Sequence, residues 1–264
     1  MKKKFNYPRV PYAMTVHNKL EIEAVVDTLK TSTQMGLKTK KFEKQVANIF
    51  NKKYGIAVNS GSSALFLAMK VFDLPKGSEV ITPTLTFATT VGCIVTNNLV
   101  PAFVDINLNS LCIDENKIEK MISKKTKAMC IPNLMGNFPN WKKIKKIAKK
   151  YKLLILEDSA DIIGAKYMNK NSGYYSDISI SSFYGMHIIN CAGNGGIICT
   201  SNQDYEKKLK LLRSWGRSSS LFKDSESIEN RFKIKLDNID YDAKFIFEEI
   251  GYNLEPSEIG SAFG

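Results

Sequence analysis

At 264 residues the chain is long enough for one large domain, or one domain and part of a second, and its 44% hydrophobic and 24% charged content is ordinary for a globular protein. The formal net charge of +12 is not ordinary; it comes mostly from lysine, in Met1-Lys-Lys-Lys4, in Lys38-Thr-Lys-Lys41 and in the run from Lys142 to Lys152. That pattern reads as solvated helix faces rather than a nucleic-acid footprint, and no stretch is long and apolar enough to span a membrane.

In chain order, residues 1–16 are basic and proline-bearing and are expected to form an N-terminal arm. Met1-Lys-Lys-Lys4 runs into Phe5-Asn-Tyr-Pro8 and not into an apolar run, so no signal peptide is expected. Apolar residues at helical spacing predict helices over 19–29 and 41–50. Strand and helix then alternate: strand 56–59, helix 62–72, strand 79–82, helix 88–96, strand 100–104, helix 115–122, strand 128–131, helix 141–151 and strand 153–156. Such repeated units predict an α/β domain, a mostly parallel sheet flanked by helices. Beyond Asp158 two strands, 178–183 and 196–200, are separated only by a loop, which leaves room for one of them to run antiparallel. A helix over 205–215 follows, then a polar, irregular stretch over 218–241. Near the end, Ser257 is expected to cap a helix that begins at Glu258 and is cut off at Gly264, as in a truncated chain.

Five cysteines, Cys93, Cys112, Cys130, Cys191 and Cys199, are scattered through apolar surroundings. Their odd number and lack of close pairs suggest neither a disulfide framework nor a zinc site. They are expected to be reduced and buried, which suits a cytoplasmic location.

Several residues are candidates for chemistry. In Asn59-Ser-Gly-Ser-Ser-Ala64 a strand passes through a glycine turn into a helix. Free backbone N–H groups and the helix dipole favour a phosphate there, with Ser62 and Ser63 as hydroxyl donors; a plain serine cap gives the same pattern. Leu156-Glu-Asp158 sets a carboxylate at the carboxyl end of a parallel strand, where such sheets bind ligands; the alternative for Asp158 is a cap on the next turn. Phe87, in Thr86-Phe-Ala-Thr89, opens a helix and offers a ring face for stacking or for the core. Ser182 ends a strand and could join the phosphate donors. His187 follows in a loop, and imidazole is poised to move protons near neutral pH.

Together these motifs resemble the DegT/DnrJ/StrS sugar aminotransferases, which have the type I pyridoxal-phosphate (aspartate aminotransferase-like) fold. They stand in the family order as Ser60-Gly-Ser-Ser-Ala64, Thr86-Phe-Ala-Thr89, Phe103-Val-Asp105, Glu157-Asp158, Ser182-Phe-Tyr-Gly-Met-His187, Gly195-Gly196, Trp215-Gly-Arg217 and Gly251-Tyr-Asn253. The likeness is closest to the 3-dehydratase branch of colitose and 3,6-dideoxyhexose pathways, which carries histidine where aminotransferases carry the cofactor-binding lysine; His187 stands in that slot. Asp161, where aminotransferases usually show glutamine, and Asn137-Phe138 after Met135-Gly136 agree with the branch. The chain departs from the pattern at Asn194, where glutamate is usual, and in a loop one residue longer after His187.

The resemblance implies a large cofactor-binding domain over 17–247, the start of a truncated C-terminal region over 248–264, and a small C-terminal domain largely missing. It implies pyridoxamine 5′-phosphate or pyridoxal 5′-phosphate held without a covalent link, and loss of the carbon-3 hydroxyl from a nucleotide-linked 4-keto-6-deoxyhexose. His187 would move the proton, Asp158 would hold the ring nitrogen, Phe87 would stack, Ser62, Ser63 and Ser182 would bind the phosphate, and Asp161 would complete the cofactor site. An amino donor such as glutamate would restore the amine. Asn253 would reach the phosphate of a neighbouring subunit, hence a homodimer. No iron–sulfur cluster is expected, because Arg217-Ser-Ser-Ser220 has no cysteine. A sugar aminotransferase of the same family and an inactive fragment are the alternatives.

Overall fold

The computed structural model describes residues 8–11, 14, 16–222 and 228–264. Most of the arm expected over 1–16, and 223–227 of the irregular stretch, lie outside them. Seven strands form one sheet: β1 (Tyr54–Val58), β2 (Glu79–Pro83), β3 (Val100–Val104), β4 (Thr126–Pro132), β5 (Leu154–Asp158), then, after a two-residue ribbon of β6 (Lys166–Tyr167) and β7 (Lys170–Asn171), β8 (Ile178–Ser182) and β9 (Gly196–Thr200). Their order is β1-β9-β8-β5-β4-β2-β3. All pairings are parallel except those of β9, which runs antiparallel to both β1 and β8. The short loop before β9 thus does reverse the chain.

The helices α1 (Lys19–Thr31), α2 (Leu37–Ile49), α3 (Gly61–Val71), α4 (Ala88–Thr96), α5 (Ile118–Met121), α6 (Trp141–Tyr151), α7 (Gln203–Arg213), α8 (Ile228–Arg231) and α9 (Glu258–Phe263) surround the sheet. Central strands are covered on both faces, so their sequences are continuously apolar; Ala128, Met129, Cys130 and Ile131 of β4 are wholly buried. Leu67, Met69 and Ile94 of α3 and α4 pack on one face with Ile56 and Ile180. Trp141, Ile144 and Ile147 of α6 pack on the other with Ile81 and Ile155. The lysines of α6 lie on the remaining arc of that helix, with Lys142, Lys146, Lys149 and Lys150 exposed, so this charge run is a solvated face.

Several predicted elements differ, and the helix expected over 41–50 starts four residues earlier, at Leu37. The helix expected over 115–122 shrinks to α5, because Asp114 Oδ1 accepts from the Asn116 N–H at 3.0 Å and holds the chain in a turn. The helix expected over 205–215 starts earlier, at Gln203, because Asn202 Oδ1 accepts from the N–H groups of Asp204 and Tyr205. It ends at Arg213, since Trp215 (φ 58°) and Gly216 (φ 82°) turn left-handed. The stretch over 218–241 contains a hairpin of β10 (Ile234–Leu236) and β11 (Ile239–Tyr241), closed by Asp237 and Asn238, both at positive φ as a two-residue hairpin turn requires.

The last helix returns to the body. Ser257 caps α9, its hydroxyl accepting from the Gly260 N–H. Glu258 is buried and accepts from the N–H groups of Gly36 (2.8 Å), Lys38 (2.7 Å) and Thr39 (3.2 Å) and from the Thr39 hydroxyl (2.6 Å). It therefore caps the start of α2 from more than 200 residues away, a carboxylate at the positive end of a helix. Glu258→Ala strands these donors and is expected to lower stability by about 3 kcal/mol in urea unfolding, with Glu258→Gln losing less.

Candidate functional site

The carboxyl ends of β1, β8, β5 and β4 share one edge of the sheet, joined by the amino end of the reversed β9. Register fixes who meets there: Val58 pairs with Gly196 and Gly196 with Ser182, while Asp158 pairs with Ile180 and with Pro132. The chain passes itself very closely at this edge. A Cβ on Gly61 would lie 2.6 Å from the Ser182 Cβ, and one on Gly196 would lie 2.2 Å from the Ser60 carbonyl oxygen. Only glycine permits either approach, so the start of α3 sits directly against the end of β8.

At that helix start Ser60 is the N-cap. Its hydroxyl accepts from the Ser63 N–H at 3.1 Å and lies 3.0 Å from the Ser63 Oγ. The first turn leaves the N–H groups of Gly61 and Ser62 without intrahelical acceptors, beside the exposed Ser62 hydroxyl and half-buried Ser182. Ser62 and Ser63 thus stand in the turn whose Gly61 meets Ser182, and Ser63 is already engaged by the cap.

Adjacent strand residues point to opposite faces, and the two carboxylates of β5 divide accordingly. Glu157 is buried and accepts from Asn133 Nδ2 (2.9 Å), Ser159 Oγ (3.0 Å) and the Gly173 N–H (3.0 Å), which ties it into a polar network under β5 and β8. Asp158 turns toward α4. Its Oδ2 accepts from Thr90 Oγ1 at 2.8 Å and its Oδ1 from the Ala160 N–H at 3.1 Å. Burial raises its pKa above the usual carboxylate range; the Thr90 and Ala160 hydrogen bonds and the nearby His187 pull the other way. Thr90 was not legible as a site residue in the sequence. The available signal is its place one helical turn after Phe87.

The loop from Phe183 to Gly195 is an irregular hairpin: Phe183 N–H bonds the Gly195 carbonyl (2.9 Å), Gly185 N–H the Gly193 carbonyl (2.9 Å) and Cys191 N–H the Phe183 carbonyl (3.1 Å). His187 projects from it half-buried, its Nδ1 3.0 Å from the Ser182 carbonyl oxygen. A crevice beside it is lined by Ala160, Ser181, Ser182 and Phe183. A carbonyl can only accept, so Nδ1 must carry the proton and Nε2 is left with the lone pair whenever the ring is neutral.

Phe87 is the N-cap residue of α4 and is 71% exposed, an aromatic face offered at the sheet edge rather than packed in the core. Asp161 is exposed but engaged, its Oδ2 accepting from the Met135 N–H at 2.9 Å. Asn253 is exposed, next to Leu254, whose carbonyl accepts from the Asn59 N–H at 3.1 Å just before the α3 cap. All five cysteines are buried and unpaired; burial pushes the Cys191 thiol up to about 12.

The donor set suits a phosphorylated pyridine: open N–H groups with two serines for the phosphate, an exposed aromatic for the ring, and a buried carboxylate for a basic ring nitrogen. Between Phe183 and Gly195 there is no lysine. Lys166 and Lys170 lie on the β6–β7 ribbon, Lys170 stacked on Tyr174, and Lys52 donates to the Ser176 carbonyl at 2.6 Å.

Fold and site together define a chain of the type I pyridoxal-phosphate class. Residues 16–263 match the DegT/DnrJ/EryC1/StrS aminotransferase family, and the chain belongs to that family. It is 32% identical over 256 residues to the lipopolysaccharide biosynthesis protein RfbH of Salmonella typhimurium, covering 93% of this chain and 58% of RfbH. It is 32% identical over 262 residues to the GDP-4-keto-6-deoxy-D-mannose 3-dehydratase of Escherichia coli O55:H7, covering 96% and 66%. The E. coli dehydratase structure with bound hydrated pyridoxal phosphate superposes with a TM-score of 0.87 at 29% identity, over 97% of this chain and 66% of that one. The likeness matches the 3-dehydratase branch, although sugar aminotransferases are also among the relatives. The chain spans little more than half the length of several curated relatives it matches.

The His187 geometry has a direct readout. In ¹⁵N NMR of the neutral imidazole, the Nδ1–H tautomer is expected to predominate, with Nε2 showing the shift of an unprotonated nitrogen.

Proposed function

We propose that this chain forms the cofactor-binding part of a pyridoxamine-phosphate-dependent 3-dehydratase acting on a nucleotide-linked 4-keto-6-deoxyhexose in deoxysugar biosynthesis. The observation that supports this most is the loop after β8, which offers an imidazole with Nε2 free for a proton and no amine to anchor a cofactor covalently. When bound, pyridoxamine phosphate supplies an exchangeable amine and an electron sink.

The chain's own residues supply the rest. Ser62, Ser63 and Ser182, with the first N–H groups of α3, hold the phosphate; Ser63 acts mainly by fixing the turn through Ser60. Phe87 covers one ring face. Asp158 would pair with a protonated ring nitrogen, whose positive charge would offset the burial that otherwise disfavours its ionisation. His187 takes a proton at Nε2 while the Ser182 carbonyl steadies Nδ1, so one strand end both binds phosphate and orients the base. Asp161 holds the 134–136 turn through the Met135 N–H and would complete the cofactor site. Loss of the carbon-3 hydroxyl from the sugar, as water, would spend the cofactor's amine, released as ammonia, and an amino donor such as glutamate would restore it and leave as its 2-oxo acid. Asn253 reaches the phosphate of a second copy, in a homodimer. The net charge of +12 favours a nucleotide-bearing substrate. The site belongs in the cytoplasm, where such substrates are made.

Two experiments test this reading. Borohydride added to the protein with pyridoxal phosphate should attach no cofactor to a lysine at this sheet edge; trapping on an active-site lysine would make it an aminotransferase. His187→Asn should slow dehydration by two to four orders of magnitude, as removal of a general base does, while the dissociation constant for pyridoxamine phosphate stays within a few-fold of wild type.

A further inference from the structure

Thr90 lies one turn into α4 and is wholly buried. Its hydroxyl donates to Asp158 Oδ2 at 2.8 Å, and its N–H bonds the Phe87 carbonyl at 3.1 Å. Its own carbonyl accepts from the thiols of Cys93 (3.2 Å) and Cys130 (3.7 Å). The residue is therefore fixed from below by two buried thiols and from in front by the helix cap. Each Asp158 oxygen is held by a different element, Oδ2 by α4 and Oδ1 by the turn after β5. Two donors on separate rigid supports set the plane of the carboxylate as well as its position. One turn of α4 carries both the exposed Phe87 ring and the donor that aims the aspartate.

Three titratable groups act on or with Asp158: Asp161, His187 and Cys130. Asp161, on the following turn, disfavours its ionisation and His187, on the loop, favours it. Cys130 of β4 is held neutral, its thiol pushed up by contact with Cys93 of α4 and by burial. The Thr90 hydroxyl is the side-chain donor in this set.

On the reading that this edge binds pyridoxamine phosphate, we infer that Thr90 is a positioning residue: by aiming the Asp158 carboxylate it sets how tightly the ring nitrogen is held.

The test uses the full chain with Thr90→Val, which removes the hydroxyl at nearly constant volume, and Thr90→Ser, which keeps it, with Asp158→Asn as reference. Two quantities are read: the dissociation constant for pyridoxamine 5′-phosphate by fluorescence titration, and the pH titration of the Asp158 carboxyl in cofactor-free protein carrying ¹³C-labelled aspartate. The Asp158→Asn spectrum identifies the resonance. Thr90→Val is expected to weaken cofactor binding about tenfold, the loss typical of one hydrogen bond to a charged group, and to move the carboxyl titration to higher pH. Thr90→Ser is expected to keep both near wild type. Should Thr90→Val fail to fold, Thr90→Ala reads the same two quantities. If removal of the hydroxyl leaves both unchanged while Asp158→Asn weakens binding, the role of Thr90 is overturned and the site reading stands. If Asp158→Asn also binds like wild type, or wild type takes up no cofactor, the site reading falls and the Thr90 assignment falls with it.

Discussion

At two points along the sheet edge the backbone comes so near itself that no side chain fits. The first turn of α3 lies against Ser182 where Gly61 has no Cβ, and β9 begins against the Ser60 carbonyl where Gly196 has none. Any larger residue at either place would push the helix start away from the end of β8 or pull β9 out of register with β1 and β8. The open N–H groups of α3, the Ser182 hydroxyl and the Ser182 carbonyl would then no longer share one corner. The site is thus set by backbone proximity first, and its polar side chains decorate a geometry already fixed.

A second constraint is the balance at Asp158. Burial favours the neutral acid, and two hydrogen bonds together with a nearby imidazole favour the carboxylate. Such opposition is common where a charged group must wait for a partner of opposite charge. Glu157, one residue earlier, meets burial differently: donors from Asn133, Ser159, Gly173 and Ser179 surround it, and Asn133 is itself held by the Trp141 indole at 2.8 Å. One carboxylate is saturated by the chain and acts as a structural tie. Its neighbour keeps acceptor capacity at the sheet edge.

Much of this was legible in the sequence because strand–helix alternation and glycine turns are local signals. The Ser60 cap, the helix opening at Phe87, the reversal before β9 and the Ser257 cap all follow from nearest-neighbour chemistry. What escaped depends on distant contacts or on competing turns. Asp114 captured the start of the helix expected over 115–122, and Asn202 moved the start of α7 back, both through side-chain to backbone bonds that hydrophobic spacing does not register. The Asp237-Asn238 turn was hidden in a stretch read as irregular, although two consecutive residues that tolerate left-handed backbone are the mark of a tight hairpin. Thr90 was invisible for another reason. Its partner lies 68 residues away, and only its place one turn after Phe87 sets its hydroxyl apart from that of Thr89.

The same reasoning applies to the placement of His187, whose loop is held from behind by the end of the chain. Cys191 is wedged between Gly195 and the last helix: a Cβ on Gly260 would lie 2.9 Å from the Cys191 carbonyl oxygen, and one on Gly264 would lie 2.7 Å from its sulfur. Phe183, at the foot of the loop, packs edge-on against Phe42 of α2 with ring centroids 4.8 Å apart. Glu258 fastens α9 to the start of that same α2. The imidazole is thus steadied directly by the Ser182 carbonyl and indirectly by a clasp between two helices far apart in sequence. Cys191, a buried thiol with its pKa raised by burial, serves as the packing piece between them. Exposed loops generally rely on a rigid backing for precision, and here the backing is assembled from α2 and α9 behind one edge of the sheet.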